Sequence, residues 1–189
     1  MTQDISNLTG KLLISMPHMM DPRFLRSVIL ICAHDQAGAM GLTLNNILPN
    51  LTFGELLKQF DISSKSLGLQ NYPVLSGGPV DPVRGFLIHT ADFTAKDTIL
   101  IDHKFGVSST IEALSDVASG KGPKDILFLL GYAGWGPKQL EDEISQNAWL
   151  VCDADYDLIF GTGPNAKWER ALWRMGIDPA MLSIEAGRA

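Results

Sequence analysis

The sequence predicts a single α+β domain built on a mixed, largely antiparallel sheet. Three observations carry this. Short apolar runs that read as strands outnumber the segments with helical periodicity, and several neighbouring runs have no helix between them. Parallel strands need a long crossover, usually a helix, and the strict strand–helix alternation this would impose is missing. At 189 residues the chain is long enough for one well-buried core and short for two ordinary domains.

The elements follow in order. Strands are expected at 11–16, 28–34 and 41–44, and Asp35-Gln-Ala-Gly38 between the last two carries the turn residues of a hairpin. Thr52 with Glu55 three residues on is the signature of a capping box. Phe53, Leu56, Leu57 and Phe60 then share one face of the first helix, so all four are expected to be buried. Strands at 74–75, 85–89 and 98–101 come next. A second helix starts near Ser109, with Glu112 at its third position, turns Ile111, Leu114 and Ala118 inward, and ends at Gly120. A strand at 126–130 leads to a third helix from Pro137, a residue whose missing N–H is not needed at the first helical position. Strands at 149–152 and 157–160 precede a fourth helix from Pro164. That helix presents Trp168, Ala171, Leu172 and Met175 on one face, stops at Gly176 and is followed by a turn from Pro179. Trp173 lies about 140° around it from Trp168. It is therefore expected off the buried face, either under the tail 181–189 or against a partner.

Composition excludes several functions. An apolar fraction of 46% with 19% charged residues describes a folded chain. The longest apolar run, Val28-Ile-Leu-Ile-Cys-Ala33, falls far short of the ~20 residues of a spanning helix. No basic stretch leads into an apolar one at the N-terminus, and two cysteines make no disulfide framework, so a cytoplasmic protein with reduced thiols is expected. A net charge of −6 opposes nucleic acid as a partner. The nearest approach to a basic patch is Lys167, Arg170 and Arg174 on one helix, which reads as a solvated face.

Five blocks resemble the bacterial AlgH/YqgE family, in order and spacing across nearly the whole chain. They are Leu12-Leu-Ile-Ser-Met-Pro17 with Asp21-Pro-Arg-Phe24; Cys32-Ala-His34 with Gly38-Ala-Met-Gly-Leu42 and Asn45; Gly77-Gly-Pro-Val80 with Arg84, Gly85 and His89; Gly131 to Glu143 with Asn147-Ala-Trp149; and Trp168, Gly176-Ile-Asp-Pro179 and Ala186-Gly-Arg-Ala189. The resemblance implies a bifurcated sheet curled into a pseudo-barrel with helices packed around it. It implies no reaction. Members are often labelled transcriptional regulators, a label that no DNA-binding motif here supports. The chain departs from the pattern at Asn46, Ser76 and Phe160-Gly-Thr-Gly163.

Two groups of residues are candidate sites. Cys32 and His34 alternate along a strand, which predicts a shared face and a thiol made reactive by the imidazole; an inert core cysteine is the competing reading. Gly77, Gly78 and Pro79, with Gly131, Tyr132, Gly134, Trp135 and Gly136, put glycines and aromatics in what read as loops. They are expected to contact a protein partner or small ligand, and the competing reading is tight turns with packed aromatics. No cofactor or metal is expected. The four histidines lack zinc-ligand spacing, and Asp153-Ala-Asp-Tyr-Asp157 opens like a calcium loop but has Leu158 where glycine is needed. The expected function is a ligand- or protein-binding regulatory domain, with a thiol enzyme or redox sensor on Cys32 and His34 as the alternative and direct DNA binding as the weakest reading.

Overall fold

The computed structural model describes residues 7–64 and 67–182 of the chain. Among them the elements are β1 (Lys11–Ser15), β2 (Val28–Asp35), β3 (Gly38–Thr43), β4 (Ile47–Thr52), α1 (Phe53–Gln59), β5 (Pro73–Ser76), β6 (Val80–Thr90), β7 (Ile99–Ile101), β8 (Phe105–Ser108), α2 (Ile111–Ala118), β9 (Ile126–Trp135), α3 (Gln139–Ser145), β10 (Trp149–Asp153) and α4 (Pro164–Arg174). β5 pairs with β9 in parallel and the other described pairings are antiparallel, so the α+β class and the mostly antiparallel sheet are as expected. The residues fall into two compact units, one up to Asn45 and from Ala133 onward, the other Asn46–Tyr132. β9 belongs to two ladders: Ile126 to Leu130 and Tyr132 pair with β5 and β6, and Ala133 to Trp135 with β3.

In the first unit the strand order is β10-β1-β2-β3. Leu12, Leu13 and Ile14 are all buried, so β1 is covered on both faces. Leu13, Ile29 and Ile31 join Leu8, Ala133, Trp135, Leu140 and Trp149 in one cluster. α4 packs against β1 and β2 and buries Trp168, Ala171 and Leu172, with the Trp168 indole donating to the Ser15 carbonyl at 2.9 Å. Pro164 opens this helix as the sequence implies. Trp173 is 55% exposed, off the buried face as its angle predicts; of its expected cover, 181–189, residues 183–189 lie outside the described residues.

The expected strand at 157–160 is instead a single π-helical turn, Asp157–Gly161. Its apolar run of three had no period to distinguish strand from helix. Lys167 explains how the turn is held. Its ammonium donates to the carbonyls of Leu158, Ile159 and Thr162 at 2.6, 2.8 and 2.8 Å, and the side chain is buried, only 1% exposed. The expected solvated face of three cations is therefore corrected at Lys167, while Arg170 and Arg174 are exposed as expected. Arg170 reaches Asp157 at 3.4 Å, and Arg174 pairs with both Asp157 and Asp155. With Asp153 bound to Lys11, these pairs also occupy the acids of the calcium-like sequence.

The second unit has the order β4-β5-β9-β6-β8-β7. Phe53, Leu56, Leu57, Val74, Leu87, Leu114, Val117 and Phe128 lie in its core, the Phe53 and Phe128 rings 5.5 Å apart. The capping box forms as predicted: Thr52 Oγ1 accepts from the Glu55 N–H, and Glu55 accepts from the Thr52 N–H. Two side chains differ from expectation. Phe60 caps the end of α1 and is 44% exposed, and Ile111 begins α2 and is 55% exposed. Thr110, not Ser109, caps α2, because Ser109 donates its N–H and hydroxyl to Asp97. Among the described residues no helix is long and apolar enough to cross a membrane.

Candidate functional site

β6 and β8 run antiparallel, with Leu87 opposite Ser108 and His89 opposite Gly106. Gly106 makes room for the imidazole: a Cβ there would stand 2.2 Å from His89 Cε1. His89 is fully buried, edge-on to Phe93 at 5.1 Å. Its Nδ1 lies 2.9 Å from the Thr90 carbonyl and its Nε2 3.0 Å from Ser108 Oγ. A carbonyl only accepts, so Nδ1 carries the proton and Nε2 presents its lone pair to Ser108. Ser108 Oγ is in turn 2.8 Å from Thr98 Oγ1, which accepts from the Ala95 N–H at 2.7 Å. One direction satisfies every group: Thr98 donates to Ser108, Ser108 to His89, and His89 to Thr90. Burial pushes the His89 pKa down, against the pull of the Thr90 carbonyl and of Asp92 and Asp97, so the ring stays neutral at physiological pH.

Ser108 also forms part of the wall of a pocket of about 100 Å³. The other walls come from Phe60, Val83, Phe86, Ile111, Leu114, Phe128 and Leu130, with Ser109 and Thr110 beside Ser108. Val83, Phe60 and Ile111 are the exposed apolar members. Sites for whole drug-sized ligands run to ~300–1,000 Å³, so this one has room for no more than a single small group. Asp97 sits behind the start of α2. Burial raises its pKa, but the Ser109 N–H and the Ser109 and Thr110 hydroxyls outweigh that and hold the carboxyl below its ordinary range. A negative charge there disfavours an anionic ligand.

The glycine–aromatic segment is a strand and not the loop it resembled. Gly131 to Trp135 complete β9, with Gly131, Ala133 and Trp135 buried and Gly134 exposed between them. That alternation of small and apolar residues was the available signal. Gly131, at φ +73°, approaches the other glycine segment closely, since a Cβ on it would lie 2.5 Å from the Gly78 carbonyl oxygen. Gly77 donates its N–H to the Leu130 carbonyl at 2.8 Å, and Val80, just past Pro79, pairs with Tyr132. The two glycine segments thus meet backbone to backbone. Tyr132 packs edge-on to Phe86 at 6.0 Å.

Trp135 and Gly136 belong to a buckle in the first unit. Glu143 Oε2 accepts from the indoles of Trp135 and Trp149 at 2.9 and 2.8 Å, while Glu143 Oε1 accepts from Gln139. Gln139 Oε1 accepts from the Gly136 N–H. α3 starts at Gln139 and not at Pro137, behind Lys138 at φ 61°. The stretch that reads as a binding loop is explained by packing, and the spacing Trp135, Gln139, Glu143 is the spacing of this buckle.

Cys32 and His34 have separate partners. The ladder shifts register between Ile31 and Ala33, and Cys32 and His34 are both buried on either side of the exposed Ala33. His34 Nδ1 accepts from the Leu8 N–H at 3.0 Å and its Nε2 lies 3.4 Å from Glu141, on the side of Leu8 and Leu140. Cys32 Sγ is 3.6 Å from the Leu30 carbonyl, and burial alone pushes its pKa up to about 12. Burial also raises Cys152, to about 11, Asp153 adding to the rise and Arg174 and Lys11 opposing it. Neither thiol is activated, and the less buried Cys152 is the more accessible. Alkylation at neutral pH, mapped by mass spectrometry, is expected to be slow at both and slower at Cys32, with fast labelling only on unfolding. Fast native labelling of Cys32 would reinstate the thiol reading.

Among the described residues no group of three His, Cys, Asp or Glu side chains could hold a metal ion. Sequence reading missed Ser108 because β8, only Phe105–Ser108 and with Gly106 inside it, has too short a pattern to register.

Comparison with known proteins gives a consistent picture. The family model described as AlgH-like matches residues 12–180. A UPF0301 protein of Rhodopseudomonas palustris (strain HaA2) is 50% identical over 189 residues, covering 96% of this chain and 87% of the relative. One from Jannaschia sp. (strain CCS1) is 48% identical, covering 97% and 96%. Among solved structures, the AlgH protein of Pseudomonas aeruginosa superposes with a TM-score of 0.79 at 35% identity, covering all of both chains. Protein DIP2367 of Corynebacterium diphtheriae shares the fold, with a TM-score of 0.72 at 20% identity, covering 96% of this chain and 92% of its own.

Proposed function

Because the chain belongs to the AlgH-like family, in which likeness supplies a fold and no reaction, we propose from its own geometry that it is a binding domain. Its second unit takes one small, uncharged apolar group of a ligand. The observation that carries this is the pocket of about 100 Å³, apolar in its walls, with Val83 exposed beside it and Phe60 and Ile111 exposed where the helix pattern called for burial. Large apolar side chains left in water beside a cavity are a feature that folding alone does not favour. The predicted glycine segments enter this reading as the frame of β9 and not as ligand contacts.

Further readings from the sequence have support of unequal weight. Two unpaired cysteines fit a cytoplasmic location. Nucleic acid is disfavoured by the net charge of −6 and by the engagement of Lys167, Arg170 and Arg174 within the fold. A regulatory role would follow from ligand capture.

Small branched and aromatic alcohols and esters, screened by thermal shift, are expected to raise the melting temperature. Ligand at a tenfold excess over its Kd adds about 1.4 kcal/mol to apparent stability. Phe60→Arg and Ile111→Arg replace exposed residues, so each is expected to abolish the shift while changing intrinsic stability by no more than ~0.5 kcal/mol. Binding that survives both substitutions would place the ligand elsewhere and refute the proposal.

A further inference from the structure

The buried polar chain beside the pocket is the group in the second unit that core packing accounts for least. We infer that Ser108 is an acyl-accepting nucleophile, with His89 as its general base, acting on uncharged esters whose short apolar acyl group occupies the pocket. This rests on the binding reading above and adds chemistry to it.

The geometry has the three parts such a site needs. Nucleophile and base are in contact, Ser108 Oγ to His89 Nε2 at 3.0 Å. A third group orients the base: the Thr90 carbonyl at 2.9 Å holds the proton on Nδ1, leaving Nε2 free to receive one. Ser108 belongs to the pocket wall, and the chain passes from it through Ser109 and Thr110 into α2, whose first turn supplies Ile111 to the same wall. Of the N–H groups at this turn, that of Ser109 goes to Asp97 and that of Ala113 to Thr110 Oγ1, which leaves those of Ile111 and Glu112 for a developing oxyanion. Thr98 donates to Ser108 Oγ and keeps its hydroxyl proton aimed at His89. Asp97 lies outside the wall but is bonded to the wall residues Ser109 and Thr110, and its carboxylate biases the site away from an acid and toward a neutral ester.

In the step, Ser108 Oγ bonds to the ester carbonyl carbon while its proton passes to His89 Nε2. The carbon–oxygen bond to the alcohol breaks, and the alcohol leaves with that proton. Water then bonds to the acyl carbon and gives a proton to His89. Ser108 departs with the proton and the acid is released.

The test treats wild-type protein with a small alkyl fluorophosphonate and, separately, with p-nitrophenyl butyrate, and measures fragment binding by thermal shift in parallel. The expected result is a single covalent adduct on Ser108 by peptide mass spectrometry, with hydrolysis at least about a hundredfold lower in Ser108→Ala, whose fragment binding persists. Thr98→Val should lower turnover and leave binding intact. The pH–rate profile should rise at lower pH than for an ordinary imidazole, a readout that a purely structural Ser108 would not move. Absence of both adduct and hydrolysis with fragment binding intact overturns the chemistry and leaves the binding proposal. Loss of all three overturns both. An adduct on another residue, or hydrolysis undiminished in Ser108→Ala, also overturns it.

Discussion

Replacing Lys167 with methionine is expected to destabilise the folded chain by about 2–4 kcal/mol, measured by denaturant unfolding followed through tryptophan fluorescence. Methionine keeps an apolar stem and removes the donor shared by the Leu158, Ile159 and Thr162 carbonyls. Each buried carbonyl left without a donor costs about 1–3 kcal/mol, and relief of the ammonium's desolvation offsets part of the sum. The substitution also has a pH signature. Burial, opposed by the charge of Asp157, pushes the Lys167 pKa from 10.5 to about 8. Between those values the unfolded chain binds the extra proton, so stability rises with pH, by at most about 1.4 kcal/mol per unit. The contribution is full above the unfolded pKa, is lost as pH falls toward the folded one, and is constant below it. The stability gap between wild type and Lys167→Met should therefore be flat below pH 8 and widen from 8 to 10.5. A loss under ~1 kcal/mol with no such widening would show that the π-helical turn does not depend on the ammonium.

Glu143→Leu is expected to cost about 2–4 kcal/mol, because one carboxylate oxygen serves two indole N–H groups and leucine serves neither. Glu143→Gln should cost less, since its amide oxygen can still accept. The interaction is separable from packing by a double-mutant cycle. Trp135→Phe, which removes an indole N–H but keeps an aromatic ring against Trp149, should be about 1 kcal/mol less harmful in the Glu143→Leu background than in the wild type. Additive losses would mean that the hydrogen bonds contribute nothing beyond ring burial, and the account of the Trp135–Glu143 spacing would fall.

Local signals survived folding where the interaction that makes them is itself local. The Thr52–Glu55 capping box, Pro164 at the start of α4 and the hairpin turn at Asp35 to Gly38 each involve groups within a few residues, so no distant packing can overrule them. Burial stripes were legible for the same reason at Leu56, Leu57, Trp168 and Leu172. The stripe failed at Phe60 and Ile111, which stand at helix ends. There the periodic face runs out, and the neighbouring element, which the sequence does not reveal, decides what is covered.

The candidate site was much less legible. Cys32 and His34 have the spacing of a shared face, but the burial of the thiol and the contacts of His34 with Leu8 and Glu141 come from distant segments that leave no mark at short range. His89 stood out only as part of a motif, and Ser108 not at all, because their contact is made across a ladder between strands 19 residues apart in sequence.

By itself the sequence determined the α+β class, the principal helices, the acidic charge and the likeness to one family, all properties of local pattern, composition or motif order. Which polar groups meet was decided only by the tertiary structure. Lys167 turned inward because the π-helical turn at Asp157–Gly161 left carbonyls needing a donor. Glu143 joined two tryptophans because β9 and β10 bring them to the same helix. Ser108 reached His89 because antiparallel register set them one diagonal apart. A hydrogen bond requires donor and acceptor within about 3 Å, a condition on distance in space that spacing along a chain does not encode.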